Sequence, residues 1–394
     1  MMMQRNFWKI PAVVFCLAFA LVFAGCGGSG SPAGDRTRTP SWSGPHRLAA
    51  FDAFDGIPSI VFGNGRFFAV GECRDDQRLA KTSTNGTIWS DVTGTHFGDF
   101  AWLAGIAFGG GRFFAFGRWD DGYEGGLLVK SSTNGTAWID ATEYFNDYFD
   151  NIERIVYSGG RFFAFGYRDD GYGWSDLVRT STDGTTWADA TDDLSAFSWI
   201  NDIAFGAGRF FAVGGWDDGH NWGPLIKTST NGTTWTDVTS NFGDFTQLFG
   251  ISFGGGSFFA FGATFDGDYF APLVKTSTNG TSWTKVTSDF GDPDTDIILS
   301  IAFAGGRFFA FGAQDVDFEN DNWEEWYKLV KTSTDGTNWT EETFLANNMQ
   351  FHHPEAATLI RVFYNGGRTF VFALEVEEVS QGNFNIEHVV FIRE

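Results

Sequence analysis

Paired aspartates beside aromatic residues recur along the sequence and are the first candidates for chemistry. The candidate binding residues of these loops are Asp75, Asp76, Trp119, Asp120, Asp121, Tyr123, Asp169, Asp170, Tyr172, Trp216, Asp217, Asp218, Asp266 and Asp268. Aromatic rings stack on sugar rings, while carboxylates accept hydrogen bonds from hydroxyls, ligate Ca²⁺ or attract basic proteins. The pattern favours a binding surface, and the alternative is a set of solvated loops that aspartates keep soluble.

A second acidic cluster has the spacing of cation ligands. Asp292, Asp294 and Asp296 alternate along the chain, and alternating carboxylates can wrap around Ca²⁺. The segment lacks the glycine at position six and the glutamate at position twelve of a helix-loop-helix calcium loop. Ca²⁺ is therefore the one cofactor that the sequence suggests, and no cofactor is required by any motif.

Composition argues against several other chemistries. The chain of 394 residues carries 49 acidic and 26 basic residues, and its net charge of -23 repels the phosphate backbone of nucleic acids. No glycine-rich segment continues into the Gly-Lys-Ser/Thr of a phosphate-binding loop. Carboxylates are so frequent that a catalytic acid pair could be proposed in any repeat, so the sequence assigns no catalytic residue.

Internal repeats indicate the elements that must position these loops. The string Ser-Thr-(Asn/Asp)-Gly-Thr recurs with a period of about 48 residues, and a Trp follows each copy. The repeated residues are Ser83, Asn85 and Gly86 with their counterparts, and Trp89, Trp138, Trp187, Trp235, Trp283 and Trp339. A second string, Gly-(Arg/Ser)-Phe-Phe-Ala-(Val/Phe)-Gly, alternates with the first.

The repeat at 99–147 predicts four short strands. Residues 105–108 and 112–117 are apolar runs joined by a glycine turn, and a continuous apolar run indicates a strand buried on both faces. Residues 127–133 and 136–142 are predicted to pair across the Asn-Gly hairpin between them. Four antiparallel strands per repeat, without helical periodicity, are typical of a β-propeller blade.

The two ends of the chain are predicted to share a blade. Six repeats are complete, and the C-terminal segment offers three strand candidates without a Trp-bearing fourth. Those candidates are residues 358–364, 369–375 and 387–392. Trp42 stands before Arg66 at the distance seen between other repeats, so residues 37–48 would supply the missing strand. We predict an all-β, seven-bladed propeller of four-stranded antiparallel blades, closed by the N-terminal strand; the alternative is six blades and a loose hairpin.

The Ser-Thr-(Asn/Asp)-Gly-Thr-x-Trp string resembles the Asp-box, or BNR repeat, of sialidases and many other propellers. The resemblance covers residues 57–343 and implies a propeller fold. In that family the motif lies on the face away from the active site, so the resemblance implies a structural role for Ser83, Asn85, Gly86 and Trp89. The Phe-Arg-Ile-Pro motif of sialidases does not occur in the sequence.

The N-terminus has the parts of an export signal. Arg5 and Lys9 precede an apolar run at 10–24, and the run ends in Ala-Gly-Cys26. This segment resembles a bacterial lipoprotein signal, which implies cleavage before Cys26 and lipidation of its thiol. The resemblance implies anchoring at the outer membrane or cell surface, with the outer face of the plasma membrane as the alternative.

These signals predict three segments: a signal peptide at 1–25, a flexible Gly/Ser-rich tether at 26–36, and one propeller domain at 37–394. We expect a monomer that the lipid attaches to a membrane. The leading hypothesis is a non-catalytic binding or scaffold protein for a glycan or a protein partner. The alternative is a glycan-cleaving hydrolase, which would place a few non-repeating residues at the central axis, whereas a scaffold would keep its blades nearly symmetric.

Overall fold

A computed structural model describes residues 41–52, 59–73, 77–169, 174–265, 270–292, 296–314, 327–349, 360–380 and 383–394. These residues form seven four-stranded antiparallel sheets, so the predicted seven-bladed propeller is confirmed and the six-bladed alternative is wrong. No helix in these ranges is long and apolar enough to cross a membrane.

The strands occupy four positions in each blade, and blades 1 to 7 are numbered from Ser59. The first, innermost strands are β2 (Ser59–Gly63), β6 (Trp102–Gly109), β10 (Asn151–Ser158), β14 (Trp199–Gly206), β18 (Gln247–Gly254), β22 (Ile297–Ala304) and β26 (Arg361–Asn365). The second strands are β3 (Arg66–Cys73), β7 (Arg112–Asp120), β11 (Arg161–Asp169), β15 (Arg209–Asp217), β19 (Ser257–Phe265), β23 (Arg307–Gln314) and β27 (Arg368–Ser380).

The third and fourth strands complete the blades on the outside. The third strands are β4 (Gln77–Ser83), β8 (Gly125–Ser132), β12 (Trp174–Ser181), β16 (Trp222–Ser229), β20 (Phe270–Ser277), β24 (Tyr327–Ser333) and β28 (Asn383–Arg393). The outer strands are β5 (Ser90–Asp91), β9 (Ile139–Asp140), β13 (Ala188–Asp189), β17 (Thr236–Asp237), β21 (Thr284–Lys285), β25 (Thr340–Glu341) and β1 (Trp42–Arg47).

A short helical turn follows the outer strand of every blade. Four are α-helical, at Thr93–His96, Thr191–Leu194, Thr239–Phe242 and Thr343–Asn348. Three are 3₁₀ turns, at Ala49–Phe51, Thr142–Tyr144 and Thr287–Asp289. In blade 1, Asp91 Oδ1 accepts a hydrogen bond from Thr93 N at 2.9 Å, and this bond holds the first backbone N–H of the turn.

The Phe-Phe-Ala strands supply the core between blades. In β7, Phe113 and Phe114 are fully buried and point to opposite faces of the blade. The Phe113 ring lies 5.2 Å from Phe68 of blade 1, and the Phe114 ring lies 5.2 Å from Phe162 of blade 3. Each second strand is therefore buried on both faces, as the continuous apolar run predicted.

The glycine that ends each Phe-Phe-Ala string allows a close approach of two backbones. The register between β6 and β7 shifts by one residue between Leu103 and Gly105, which forms a β-bulge. At Gly117, opposite this bulge, an added Cβ would lie 2.1 Å from the carbonyl oxygen of Trp102. The same contact recurs at Gly214, 2.0 Å from Trp199 O, so the repeated glycine leaves room for the bulge.

The N-terminal strand closes the ring as predicted. Blade 7 has the strand order β26-β27-β28-β1, in which Trp42 pairs with Arg393 and Arg47 pairs with Val389. The Trp42 ring also packs edge-on against Phe309 of blade 6, at a centroid distance of 6.1 Å. One blade thus joins residues from both ends of the chain, and β28 has no free edge.

The outer strands are shorter than predicted. In blade 2, residues 136–142 were predicted as one strand, but β9 comprises Ile139 and Asp140 alone. The cause is the preceding turn, where Asn134 Oδ1 accepts hydrogen bonds from the backbone N–H groups of Thr136 and Ala137, both at 2.9 Å. These groups bond to a side chain instead of to the third strand.

Candidate functional site

The two ends of the propeller differ in chemistry. One end holds the Ser-Thr-(Asn/Asp)-Gly turns between third and fourth strands, and we call it the turn face. The other end holds the loops between second and third strands and the connections between blades, and we call it the loop face. The acidic and aromatic candidates that the structure describes lie on the loop face.

Side-chain hydrogen bonds build the turns of the turn face. Ser83 Oγ accepts hydrogen bonds from Gly86 N at 2.9 Å and Asn85 N at 3.2 Å. Asn85 Oδ1 accepts from Thr87 N at 3.0 Å, and Gly86 adopts φ +79°. In blade 3, Asp183 occupies the position of Asn85, and its Oδ1 accepts hydrogen bonds from two backbone N–H groups. These bonds hold the pKa of the Asp183 carboxyl well below its usual range.

The Trp after each turn packs into the interface with the preceding blade. The Trp89 ring lies 4.7 Å from Phe51, and its Nε1 donates to the Gly86 carbonyl at 3.0 Å. The counterparts Trp138, Trp187, Trp235, Trp283 and Trp339 contact the Phe residues of their own interfaces. These rings are buried or half-buried, so they offer little surface to a ligand.

The described aspartates of the loop face shape their own turns. Asp121 Oδ1 accepts hydrogen bonds from Tyr123 N and Glu124 N, both at 2.9 Å, and these bonds lower the pKa of the carboxyl. Asp120 Oδ1 accepts from Gly122 N at 2.6 Å. The loop of blade 4 repeats this arrangement, with Asp217 and Asp218 as the acceptors. Turn formation accounts for one oxygen of each of these carboxylates.

Several sequence candidates fall outside the described part of the chain. They are Cys26, Asp75, Asp76, Asp170, Tyr172, Asp266, Asp268 and Asp294, together with the side chain of Asp169. Beside Asp294, the buried Asp296 Oδ2 accepts hydrogen bonds from Asp292 N at 3.0 Å and Gln314 Nε2 at 3.3 Å. Two protein donors thus share one oxygen of this predicted calcium ligand. Among the described residues, no group of three or more His, Cys, Asp or Glu side chains could hold a metal ion.

The aromatic residues of the blade connections belong to the core. Phe97, Phe100, Phe145, Phe149 and Phe242 all lie on connections between blades, and each is buried. Phe145 packs against Trp187 at a centroid distance of 4.7 Å. Aromatic surface on the loop face comes instead from Tyr123, which is 97% exposed, and from Trp102, Tyr148 and Trp222.

A groove on the loop face is lined by aromatic and polar residues between blades 2 and 3. Its volume is ≈ 480 Å³, and its lining includes Arg118, Trp119, Asn146, Asp150 and Tyr167. The Trp119 ring packs over Gly126, where an added Cβ would lie 3.1 Å from Nε1. Arg118 Nη1 donates to the Asp150 carbonyl at 3.2 Å and thereby joins the two blades.

The groove contains part of the predicted binding set and adds residues that the sequence did not single out. Trp119 was a candidate, whereas Arg118, Asn146, Asp150 and Tyr167 were not. Asp120, Asp121 and Tyr123 belong to the hairpin loop next to Trp119. A comparison of the repeats would have singled out Arg118, because the equivalent residue is Gly215 in blade 4 and Ala263 in blade 5.

Charged side chains break the symmetry at the central axis. Arg154 and Asp202 occupy equivalent positions on the innermost strands of blades 3 and 4, where Gly105 and Gly250 stand in blades 2 and 5. The Arg154 guanidinium lies 4.3 Å from the centroid of Phe165 and donates to two backbone carbonyls of blade 4. The near symmetry expected of a scaffold holds at the turn face and fails at the axis.

Asp202 joins blades 4 and 5 from a fully buried position. Its Oδ1 accepts a hydrogen bond from Ile203 N at 2.8 Å, and its Oδ2 accepts from Ile251 N of the next blade at 3.2 Å. Burial raises the pKa of this carboxyl to about 7, although both N–H groups and the charge of Arg154 oppose the rise.

Glu153 projects from the bulge of β10, beside Arg154. The register of β10 shifts between Ile152 and Arg154, which leaves Glu153 as the extra, exposed residue on the innermost strand. Partial burial and the negative charge of Asp176 raise the pKa of the Glu153 carboxyl. Burial also raises the pKa of Asp176. Neither acid was a candidate from the sequence.

Two sialidases and a polysaccharide lyase are among the solved structures with a similar architecture. A Trypanosoma rangeli sialidase in complex with the inhibitor DANA is 11% identical, with a TM-score of 0.40, over 86% of this chain and 54% of the sialidase. An ulvan lyase, described as a polysaccharide lyase, is 11% identical, with a TM-score of 0.48, over 87% of this chain and 94% of the lyase. The phage phi92 endosialidase is 9% identical, with a TM-score of 0.44, over 90% of this chain and 68% of that chain.

These comparisons concern overall architecture alone. This chain spans about half the length of the sialidase that it matches. No family model matches the sequence, and the search of curated proteins gives no significant match.

Proposed function

We propose that this protein is an exported, membrane-anchored binding protein that holds a glycan on the loop face of its propeller. The groove between blades 2 and 3 is the observation that supports this function. Its volume of ≈ 480 Å³ lies within the range of about 300–1,000 Å³ typical of small-molecule sites. Trp119 and Tyr167 line the groove, and Arg118, Asn146 and Asp150 offer hydrogen-bonding groups to hydroxyls.

The charge of the chain favours a neutral glycan over an anionic one. A net charge of -23 disfavours the approach of a polyanionic sugar over distances of about a Debye length. Arg118 already donates to the Asp150 carbonyl, so part of its hydrogen-bonding capacity is used within the protein. A short, neutral oligosaccharide is therefore the ligand that we assign to the groove.

The proposed attachment to a membrane rests on the N-terminal residues. The lipid would be carried by Cys26, and residues 27–36 would tether the propeller, whose first strand begins at Trp42. We place the protein at the outer membrane or cell surface. Metabolic labelling with a palmitate analogue tests this: we expect label on the wild type and none on Cys26→Ala.

The groove is tested by calorimetric titration of the detergent-solubilised full-length protein with a panel of neutral oligosaccharides. We expect one of them to bind, and we expect Asn146→Ala and Asp150→Asn each to weaken binding by about tenfold, as loss of a hydrogen bond worth about 1.4 kcal/mol does. Asn241→Ala removes an exposed Asn from the corresponding connection of blade 4 and serves as the control. Binding of a protein partner, with no sugar binding, would contradict the glycan assignment.

A glycan-cleaving hydrolase is the second candidate, because the axis carries non-repeating acids. Glu153 has a raised pKa, which is a property of general acids in glycoside hydrolysis. We expect a hydrolase to release reducing ends from its glycan and to lose this activity in Glu153→Gln. Binding without cleavage, unaffected by Glu153→Gln, would leave the binding function alone.

A further inference from the structure

We infer that the turn face docks on a membrane surface that carries anionic lipid headgroups, with the arginines of blades 1 to 4 as the contacts to lipid phosphates. This inference rests on the proposed attachment through Cys26, and it names the end of the propeller that faces the bilayer. The glycan groove, at the opposite end of the blades, would then point away from the membrane.

The N-terminal chain enters the propeller at the turn face. Third strands run from the loop face to the turn face, and β8 ends at Ser132, the first residue of its turn. Arg393 occupies the corresponding position at the end of β28. Trp42 pairs with Arg393, and the carbonyl of Ser41 accepts a hydrogen bond from Glu394 N at 3.3 Å. The chain that leads to the proposed lipid therefore leaves the propeller on the side of the turns.

The length of this linker keeps the turn face close to the lipid. Residues 27–41 separate Cys26 from Trp42. A flexible chain of this length spans about 20 Å on average, since its root-mean-square length is about 5–6 Å times the square root of the residue number. The linker supplies a high local concentration, so contacts too weak to hold a free protein on a membrane are sufficient for an anchored one.

An arginine stands at the turn-face end of the second strand in each of blades 1 to 4. These residues are Arg66, Arg112, Arg161 and Arg209, and all four are half-buried. Each donates from Nη1 to the hydroxyl of a Thr or Ser on the third strand of its own blade, at 3.3–3.5 Å. None of the four forms an ion pair with a residue that the structure describes.

The arginine stems lie against the turns of the next blade, which places the guanidinium groups between neighbouring turns. An added Cβ on Gly135 would lie 3.4 Å from Arg66 Cδ, and one on Gly280 would lie 3.5 Å from Arg209 Cδ. No guanidinium nitrogen of these arginines is both buried and without a partner among the described residues. The N–H groups that the hydroxyls do not use therefore reach solvent, where a phosphate could accept two of them in parallel.

The turn face is poor in acids although the chain as a whole is acidic. The Ser-Thr-(Asn/Asp)-Gly turns and the turns between first and second strands contain two acids, Asp183 and Asp335, in a chain with a net charge of -23. The described hairpin loops of the loop face carry the acidic pairs at 120–121 and 217–218 instead. An anionic surface therefore attracts the turn face and repels the loop face, which gives the docked protein one orientation.

The unpaired arginines form a continuous arc over blades 1 to 4. Ser257 replaces the arginine in blade 5, and in blade 6 the charge of Glu342 acts on Arg307. In blade 7, Arg368 pairs with Glu394 at 2.7 Å. The arc thus begins in blade 1, next to the blade at which the linker enters.

Two exposed side chains beside the linker add apolar surface to the turn face. Ile88 follows the turn of blade 1 and is 73% exposed, while Tyr364 lies at the turn-face end of β26 and is 51% exposed. The turn that carries Ile88 packs on blade 7, since an added Cβ on Gly86 would lie 3.0 Å from the Phe370 ring. Tyrosine is enriched at the headgroup level of membranes, where a ring with one polar end fits both environments.

The docking is tested by chemical modification of arginines in the full-length, lipidated protein on vesicles. One set of vesicles is phosphatidylcholine, and the other mixes it with phosphatidylglycerol. We expect the anionic vesicles to slow the reaction of phenylglyoxal with Arg66, Arg112, Arg161 and Arg209 by about tenfold or more, because each arginine near an anionic surface favours the docked state about fivefold. Salt at about 1 M, where the Debye length is about 3 Å, should restore the reaction.

The controls use the opposite end of the blades and the charge of the arginines. Arg168 is exposed at the loop-face end of the strand that carries Arg161, and it should react equally on both vesicles. Arg66→Gln with Arg161→Gln should weaken docking by about 25-fold and restore the reaction of Arg112 and Arg209. Arg66→Lys with Arg161→Lys keeps the charge and should keep these two arginines protected.

The outcomes distinguish the docking from the attachment. Flotation of the wild type with neutral vesicles, and its loss in Cys26→Ala, would support the lipid anchor, whereas a wild type that floats with neither vesicle would contradict both proposals. A protein that floats but whose turn-face arginines react equally on both vesicles would overturn the docking alone. Protection of Arg168 would overturn it by placing the loop face on the membrane. Protection of the turn-face arginines already in detergent would overturn it by showing that another protein chain covers them.

Discussion

Asp202 offers the most quantitative test of the packing between blades. The carboxyl is fully buried, and its two oxygens accept the backbone N–H groups of Ile203 and of Ile251 in blade 5. Burial raises its pKa from the ordinary 3.8 to about 7. The folded protein therefore binds this proton more tightly than the unfolded chain does. Its contribution to stability is complete below pH 3.8 and is lost as the pH rises through 7.

The expected loss follows from these two pKa values. The difference between about 7 and 3.8 corresponds to about 4 kcal/mol of unfolding free energy once Asp202 is ionised in both states. Linkage gives a loss of about 2–3 kcal/mol between pH 5 and pH 8 from this one group. Asp202→Asn does not titrate and keeps one acceptor, but it leaves one N–H without a partner, at a cost of about 1–3 kcal/mol at every pH.

Urea unfolding followed by Trp fluorescence at pH 5, 6, 7 and 8 measures this difference. We expect Asp202→Asn to be less stable than the wild type at pH 5 and to gain about 2–3 kcal/mol relative to it by pH 8. Asp192→Asn, at an exposed position, is the control for the remaining titrations. A difference between the Asp202 variant and the wild type that stays constant from pH 5 to pH 8 would refute the reasoning.

Three further predictions concern the architecture. Gly117→Ala places a Cβ 2.1 Å from a carbonyl oxygen and should lower the free energy of unfolding by about 3 kcal/mol. Gly94→Ala has nothing within 4 Å of the added Cβ and should change it by under about 0.5 kcal/mol. Equal urea midpoints for the two variants would contradict this prediction. Ser83→Ala leaves two turn N–H groups without their acceptor and should cost about 1–3 kcal/mol, against little for the exposed Thr84→Ala. Deleting residues 1–48 removes β1 and exposes the edge of β28, so size-exclusion chromatography should show aggregates; an unchanged monomer peak would show that closure is dispensable.

The repeated parts of the fold were predictable because their physics is local. A turn such as that of Ser83 and Asn85 is built by side chains within four residues of one another. The apolar composition of the Phe-Phe-Ala strand is enough to predict that both of its faces are buried. The position of Trp42 predicted the closing strand, since the repeat fixes how far a fourth strand precedes the next Arg.

The axis of the propeller was not predictable in the same way. Whether Glu153 and Arg154 face a neighbouring blade depends on a one-residue register shift in β10, and a shift of one residue changes the face that a side chain occupies. The burial of Asp202 depends on blade 5, which lies about one repeat further along the chain. An alignment of the repeats does show that these residues differ from their counterparts in other blades, but only the packing shows what they contact.

The groove was predictable in part. The sequence singled out Trp119 as an aromatic candidate, and in the structure this residue lines the groove. Aromatic residues alone do not identify a binding surface, because Phe97 and Phe145 also lie on connections between blades yet fill the core. Their burial follows from the short turns that fold each connection back over the blade interface.

Hydrogen exchange of the full-length protein with a bound oligosaccharide is the most direct test of glycan binding in the groove. We expect the sugar to slow exchange in peptides covering 118–127 and 142–150, which contain the groove residues of blade 2 and of the connection to blade 3. Exchange in the turn peptides, such as 83–89, should stay unchanged. Protection confined to the turn face, with the groove peptides unaffected by any glycan that binds, would contradict the proposed function.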